Sequence, residues 1–153
     1  MIELTGDIWE AHALGHWIAI TTNPIVNARG ELVMGRGVAK QAADRCPGLS
    51  KTLGQWATTV GGFYPASVPE HRIITFPVKR HWRERAVPWL IGQSARQVKA
   101  LVFGLQSTFP RILPLYMVRP GCGNGGLEWK DVRPLLAPIF DSVDFIVVER
   151  GDE

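Results

Sequence analysis

The chain has 153 residues, of which 46% are hydrophobic and 20% are charged, a composition that indicates a folded globular protein and excludes a disordered chain. No apolar run reaches the roughly 20 residues that cross a bilayer, and the N-terminus lacks a secretory signal, so we expect a cytoplasmic protein with no membrane partner. The net charge of +3 favours anionic partners without predicting nucleic-acid binding. Cys46 and Cys122 have neither metal-ligand nor disulfide-framework spacing, and nothing in the sequence identifies a metal site. We also expect no cofactor.

Predicted strands and helices alternate along the chain. Apolar runs predict strands at residues 2–5, 17–21, 72–76, 112–118 and 145–148, with a weaker candidate at 63–67. Several runs are continuous, which is typical of strands buried on both faces. Helical spacing of apolar residues predicts helices at 38–46, 49–60, 91–105 and 129–139. This alternation predicts an α/β sandwich, with helices on both faces of a largely parallel sheet, in one domain of residues 1–153.

Prolines and glycines delimit the predicted helices. Pro47 ends the first, a Gly61-Gly62 pair ends the second, and Pro88 begins the third. Pro134 is tolerable only near the first turn of the fourth helix, and Pro138 should end or kink that helix.

Two glycine-rich loops lead into helices. The first is Met34-Gly35-Arg36-Gly37-Val38, and the second has four glycines between positions 121 and 126. Glycine lets backbone N–H groups approach a ligand closely, and a helix N-terminus adds a favourable dipole for anions. Neither loop has a Walker or dinucleotide-binding sequence, which disfavours kinase-like and oxidoreductase functions. Since ligands of such folds bind at the carboxyl ends of the strands, the two loops predict a ligand with two phosphates or a pyrophosphate.

Three polar residues follow predicted strands. Asp7 could accept a hydrogen bond from the amine of a bound base, although capping the next turn is the simpler interpretation. Asn23 could bind a sugar hydroxyl, and an Asx-turn before Pro24 is the favoured alternative. Lys79 follows Pro77, which stiffens the exit from the strand and projects Lys79 from the edge that carries the loops.

The segment after that strand interleaves basic and aromatic residues. Its members Arg80, His81, Trp82 and Arg83 suit contacts with phosphates and bases, as in nucleic-acid binding. A solvated basic turn is an equally good interpretation of the charge pattern. His81 and Trp82 could contact a nucleobase or pack the segment against the protein.

Taken together, these segments resemble the macrodomain family, which binds ADP-ribose. Gly6-Asp7-Ile8 resembles the family's first-strand signature, whose aspartate meets the adenine amine, and Thr21-Thr22-Asn23 resembles the strand end whose asparagine faces the distal ribose. The resemblance implies a three-layer α/β/α sandwich with a mixed, largely parallel sheet. It also implies a set of ADP-ribose-binding residues: Asp7, Ile8, Asn23, Gly35, Arg36, Gly37, Val38, Gly121, Cys122, Gly123, Asn124 and Gly125.

Two motifs are similar to the branch that contains terminal ADP-ribose glycohydrolases and DarG-type antitoxins, which remove ADP-ribose from thymidine in DNA. They are residues 76–83 and residues 121–129. Two departures accompany them. Residues 24–33 form a longer connection than usual, expected to cover the distal ribose, and Gly125 stands where the human-type glycohydrolase has an aspartate. The glycine fits the DNA-directed pattern better.

The resemblance implies removal of ADP-ribose from a macromolecule, most readily DNA and alternatively a protein carboxylate, by a monomer. Lys79 and Asn23 are the implied catalytic residues. Lys79 could attack the anomeric carbon, with Arg80 and Arg83 as cations that lower its pKa, or it could stabilise the departing group as a cation. The alternatives are a non-catalytic ADP-ribose reader and a hydrolase of ADP-ribose phosphate or acetyl esters.

Overall fold

The computed structural model describes residues 1–150 and contains one six-stranded sheet of order β1-β6-β5-β2-β4-β3. The sheet is parallel except for β3, which pairs antiparallel with β4 at one edge. The largely parallel α/β sandwich expected from the alternation is therefore confirmed, and so is the mixed sheet that the resemblance implies. The strands are β1 (Ile2–Thr5), β2 (Trp17–Thr22), β3 (Ser67–Val68), β4 (Ile73–Pro77), β5 (Leu115–Val118) and β6 (Phe145–Glu149).

The main helices lie on both faces of this sheet. They are α1 (Ile8–Ala13), α2 (Gly37–Arg45), α3 (Leu49–Trp56), α4 (Pro88–Leu105) and α5 (Trp129–Leu136). A π-helical turn, Ala57–Gly61, extends α3, and 3₁₀ turns occupy Pro69–His71 and Gly123–Gly125. Among the described residues, no helix combines the length and apolar character that crossing a membrane requires.

Successive residues of β2 face opposite layers. Trp17 and Ala19 join a core with α4 and α5, whereas Ile18 and Ile20 join a second core with α1, α2 and α3. Side chains of a strand alternate between its two faces, so a continuous apolar run is what a doubly covered strand requires.

Several boundaries differ from those predicted. The helix α1 was not predicted, because its six residues bury only Ile8 and Trp9 and so show no helical period. The strand β5 begins at Leu115 rather than at residue 112, directly after Pro114, which has no N–H to donate to a sheet. The weak candidate at 63–67 is displaced to Ser67–Val68, beyond Pro65.

The helix ends also differ in part from the expectation. The second predicted helix ends as an α-helix at Trp56 and continues as the π-helical turn to Gly61. Pro134 lies in the second turn of α5, farther in than expected, and α5 ends at Leu136 before Pro138. A short helix that ends two residues later loses little hydrogen bonding to an internal proline.

Candidate functional site

The carboxyl ends of β1, β6, β5, β2 and β4 lie side by side at one edge of the sheet. Asp7 follows β1, the second glycine loop follows β5, Asn23 follows β2 and Lys79 follows β4. Four inter-strand spacings separate Asp7 from Lys79, which corresponds to roughly 19 Å. The edge therefore offers an extended row of polar groups rather than one compact centre, and this suits a long ligand.

Asp7 stands at one end of this row. Its Oδ1 accepts the backbone N–H of Trp9 at 2.9 Å, so the capping interpretation is correct for that oxygen. The neighbouring Gly6 N–H donates to the Glu149 carbonyl at 2.8 Å, which fixes the turn against β6. The next residue, Ile8, is buried. A carboxylate has two oxygens, so a cap made by one leaves the other for a base amine.

A polar network that sequence reasoning missed braces this end of the site. Glu3 accepts from Trp129 Nε1 and from Arg133 Nε, both at 2.9 Å, and the bond from Arg133 is the main cause that holds the Glu3 pKa below its usual value. Arg119 donates to both carboxylate oxygens of Glu149 at 3.1 Å and lies 5.0 Å from the centre of the Trp129 ring. The bonded residues of this network lie far apart in the sequence, so no local sequence pattern predicts it.

Asn23 lies at the end of β2 with both ends of its amide engaged. Its Oδ1 accepts the Ile25 N–H at 2.9 Å, which is the Asx-turn, and its Nδ2 donates to the Val33 carbonyl at 2.9 Å. These bonds hold the base of residues 24–33, a hairpin in which Val26 pairs with Leu32. In this arrangement Asn23 positions the 24–33 hairpin.

The first glycine loop leads into α2. The Lys40 N–H donates to the Arg36 carbonyl at 3.2 Å, so the N–H groups of Gly37, Val38 and Ala39 precede the hydrogen-bonded ladder of the helix. Gly37 has a φ of 59°, a left-handed conformation that favours glycine. The loop thus presents N–H groups at a helix start, as its sequence predicts.

The second glycine loop is folded back on itself. Leu127 N–H donates to the Gly121 carbonyl at 3.0 Å, and Gly126 N–H donates to the Gly123 carbonyl at 3.0 Å. The N–H of Cys122 donates to the Arg119 carbonyl at 3.2 Å. Burial raises the pKa of the Cys122 thiol, which keeps it protonated.

The two glycine loops and Lys79 meet at one point. A Cβ on Gly37 would lie only 3.1 Å from Asn124 Nδ2, which places the loops in contact. Lys79 Nζ donates to the Asn124 carbonyl at 3.2 Å and lies 3.5 Å from the Trp82 carbonyl. Asn124 is therefore shared by all three segments.

The environment of Lys79 disfavours its charge. Desolvation is the main cause that lowers the Lys79 pKa, and the positive charge of Arg36 lowers it further. Arg80 and Arg83 were expected to supply this charge, and the cation that does so lies instead on the first glycine loop. Arg80 pairs with Glu84 at 3.3 Å, and the Arg83 guanidinium lies 4.6 Å from the Trp82 ring centre.

The segment between β4 and α4 is a closed loop with a fixed base. Val87 N–H donates to the Val78 carbonyl at 2.8 Å, and the buried Ser94 hydroxyl donates to the Pro77 carbonyl at 2.6 Å. Ala86 N–H donates to the Gly125 carbonyl at 2.9 Å, which binds this loop to the second glycine loop. Because its two ends meet, the loop projects as one unit.

At its tip, His81 stacks on Trp82 with ring centres 5.2 Å apart, and Trp82 remains 43% exposed. His81 and Trp82 thus pack against each other, and an aromatic surface still faces solvent. Glu128 directly precedes α5, and its carboxylate pairs with Lys130 at 3.2 Å. Over residues 1–150, no three His, Cys, Asp or Glu side chains are placed to hold a metal ion together.

No protein-family model matches the chain. Residues of the chain are 30% identical, over 120 positions, to the DNA ADP-ribosyl glycohydrolase of Mycobacterium tuberculosis, a match that covers 72% of this chain and 32% of that protein. The chain spans about a third of the length of the curated relatives it matches.

Solved structures resemble the fold over almost its whole length. The macrodomain of Mycobacterium tuberculosis DarG superposes with a TM-score of 0.77 at 27% identity, covering 97% of each chain. The Thermosipho africanus DarTG in complex with ADP-ribose superposes with a TM-score of 0.66 at 20% identity, covering 89% of this chain and 38% of that one.

Proposed function

Because this chain is a macrodomain of the DarG type, we propose that it binds ADP-ribose and hydrolyses the bond between ADP-ribose and a modified macromolecule. The preferred substrate is ADP-ribosylated DNA, and an ADP-ribosylated protein carboxylate is the alternative. Residues 1–153 act as one macrodomain and as a monomer. The observation that carries the proposal is the meeting of Lys79 with both glycine loops at Asn124.

In the proposed complex, ADP-ribose lies along the row of strand ends. The second oxygen of Asp7 accepts from the adenine amine, beside Ile8, at the β1 end. The pyrophosphate lies between the N–H groups at the start of α2 and those of the 3₁₀ turn Gly123–Gly125. The distal ribose then reaches the β2 and β4 ends, where Asn23 positions the hairpin and Lys79 projects. The complex of Thermosipho africanus DarTG with ADP-ribose supports this ligand.

Lys79 has two possible roles in the cleavage. As a neutral amine, Nζ attacks the anomeric carbon while the bond between that carbon and the nucleobase breaks, and the departing base takes up a proton. Water then releases ADP-ribose from the lysine. As a cation, Nζ stabilises the charge that develops on the departing base while water attacks. Desolvation and Arg36 lower the Lys79 pKa, which favours the neutral amine. Orientation by the pyrophosphate contacts lowers the barrier in both cases.

Substitution of Lys79 tests the proposal. Lys79→Ala should keep its calorimetric affinity for ADP-ribose and lose turnover of an ADP-ribosylated oligonucleotide by at least about a hundredfold. Lys51→Ala, on the exposed face of α3, is the matched control and should keep both. Unchanged turnover in Lys79→Ala would show that Lys79 takes no part in the reaction. If the unaltered chain does not bind ADP-ribose, the proposed function is refuted.

Lys79→Arg separates the two roles. Arginine keeps the positive charge and cannot become neutral near pH 7, so it supports electrostatic stabilisation and not attack. Loss of activity in Lys79→Arg supports the role of Lys79 as a nucleophile. Retained activity supports its role as a stabilising cation. A panel of ADP-ribosylated DNA, ADP-ribosylated protein, ADP-ribose phosphate and acetyl-ADP-ribose assigns the substrate, and binding without any turnover would identify a reader.

A further inference from the structure

Trp89 is a large apolar side chain left in solvent beside the proposed site. It lies in the first turn of α4 and is 60% exposed, whereas Leu90 and Ile91, which follow it, are fully buried. Burying an indole contributes a few kcal/mol, and tryptophan is enriched among the residues that carry binding energy at interfaces, so an exposed tryptophan beside a site is a candidate contact for a partner. Trp89 is not among the residues proposed to bind ADP-ribose or to cleave its bond.

The loop closure places Trp89 near the reacting end of the site. The backbone bond from Val87 to Val78 joins the two ends of the loop, with Lys79 one residue beyond Val78 and Trp89 two residues beyond Val87. The loop itself carries Trp82, which is 43% exposed and lies against Arg83. The loop that carries Lys79 therefore has one exposed tryptophan at its tip and a second just beyond its base.

The charges around these rings match a phosphate backbone. Arg96 lies seven residues after Trp89, on the same face of α4, and its Nη1 would lie 3.6 Å from a Cβ on Gly92, so its side chain extends back toward the first turn. Residues 79–85 contain one lysine and three arginines against the single acid Glu84. Aromatic rings interleaved with arginines form the kind of surface that stacks bases while tracking phosphates.

We propose that Trp89, with Arg96 behind it, stacks a nucleobase adjacent to the modified nucleotide and so makes the enzyme prefer ADP-ribose carried by a strand over ADP-ribose carried by a lone nucleoside. This inference rests on the proposed function. The occupant is a nucleic-acid strand, because an acidic peptide would match the arginines and leave the exposed indole without a stacking partner. Trp89 touches no reacting atom and acts on specificity.

Kinetics with two substrates test the inference. For an oligonucleotide with one central ADP-ribosylated thymidine, Trp89→Ala should raise KM about tenfold, the loss of one stacked base, with kcat unchanged. For ADP-ribosylated thymidine nucleoside, and for ADP-ribose affinity, the same variant should match the unaltered chain. Trp89→Phe should restore most of the lost affinity, and Val143→Ala, an exposed apolar position away from the edge, should change nothing.

An unchanged KM for the oligonucleotide in Trp89→Ala would overturn the inference, as would an equal loss on an ADP-ribosylated protein. A second measurement does not need turnover: fluorescence anisotropy of an unmodified oligothymidine should show about tenfold weaker binding to Trp89→Ala. If the unaltered chain binds the oligothymidine through Trp89 but cleaves no ADP-ribosylated substrate, the proposed function fails and the contact stands.

Discussion

Gly54 is the point where α3 touches the tip of the 24–33 hairpin. A Cβ at Gly54 would lie 2.0 Å from the Gly30 carbonyl oxygen and 2.8 Å from its carbon, and 3.0 Å is about the shortest separation that a real Cβ tolerates. Both obstructing atoms belong to the backbone, so no side-chain rotation relieves the contact. In Gly54→Ala the hairpin must therefore retreat by about 1 Å.

Two effects of opposite sign determine the stability of Gly54→Ala. Overpacking costs about 1–3 kcal/mol, while alanine in a helix interior is favoured over glycine by up to about 1 kcal/mol. We expect a net loss of about 1–2 kcal/mol, which lowers Tm by about 3–6 °C for a protein of this size. Since Asn23 is bonded to Ile25 and Val33 of the hairpin, the displacement should also weaken ADP-ribose binding.

Gly92→Ala is the matched control for this prediction. Gly92 is also in a helix interior, and its Cβ would meet only the flexible end of Arg96 at 3.6 Å, an ordinary contact. Thermal unfolding should therefore show a gain for Gly92→Ala and a loss for Gly54→Ala, with calorimetry giving the ADP-ribose affinity of each. Equal Tm values for the two variants would refute the reasoning from the hairpin contact.

Two further predictions concern the centre of the site. Arg36→Gln removes a positive charge that lowers the Lys79 pKa, so the Lys79 pKa should rise. At saturating substrate, the Lys79-dependent limb of the kcat–pH profile should then move to higher pH, and an unmoved limb would contradict the coupling. Gly121→Ala places a side chain at a φ of 78° and 2.6 Å from Ile91 Cδ1, and should lower the free energy of unfolding by about 2 kcal/mol in a urea titration; native stability would contradict the strain.

The regular part of the fold could be predicted from the sequence because β2, β4 and β6 are covered on both faces and α2 and α4 bury clear apolar stripes. Prediction failed at two short elements: α1 is too short to show a period, and β3 is a two-residue edge strand. Such elements form because neighbours far along the chain hold them, and a local pattern does not record this.

The site shows the same division. The second glycine loop, Asp7 and Lys79 could be located, because each follows a strand of the parallel sheet. The first glycine loop follows the 24–33 hairpin, and it could be located from its glycines before a helical pattern. The cation that lowers the Lys79 pKa could not be identified from the sequence. It is Arg36, which is 43 positions away, whereas the nearer Arg80 pairs with Glu84. Sequence proximity is a poor guide to electrostatic proximity when loops from different strands converge.

The loop after β4 and the second glycine loop are joined by three bonds: Lys79 to the Asn124 carbonyl, Arg85 to the Gly126 carbonyl and Ala86 to the Gly125 carbonyl. Transfer of either segment alone into another scaffold would break these three hydrogen bonds and leave the carbonyl groups without donors. Chimeras that exchange both segments together should keep their chemistry, whereas single exchanges should not. The site thus depends on two segments whose bonded residues lie about 40 positions apart in the chain.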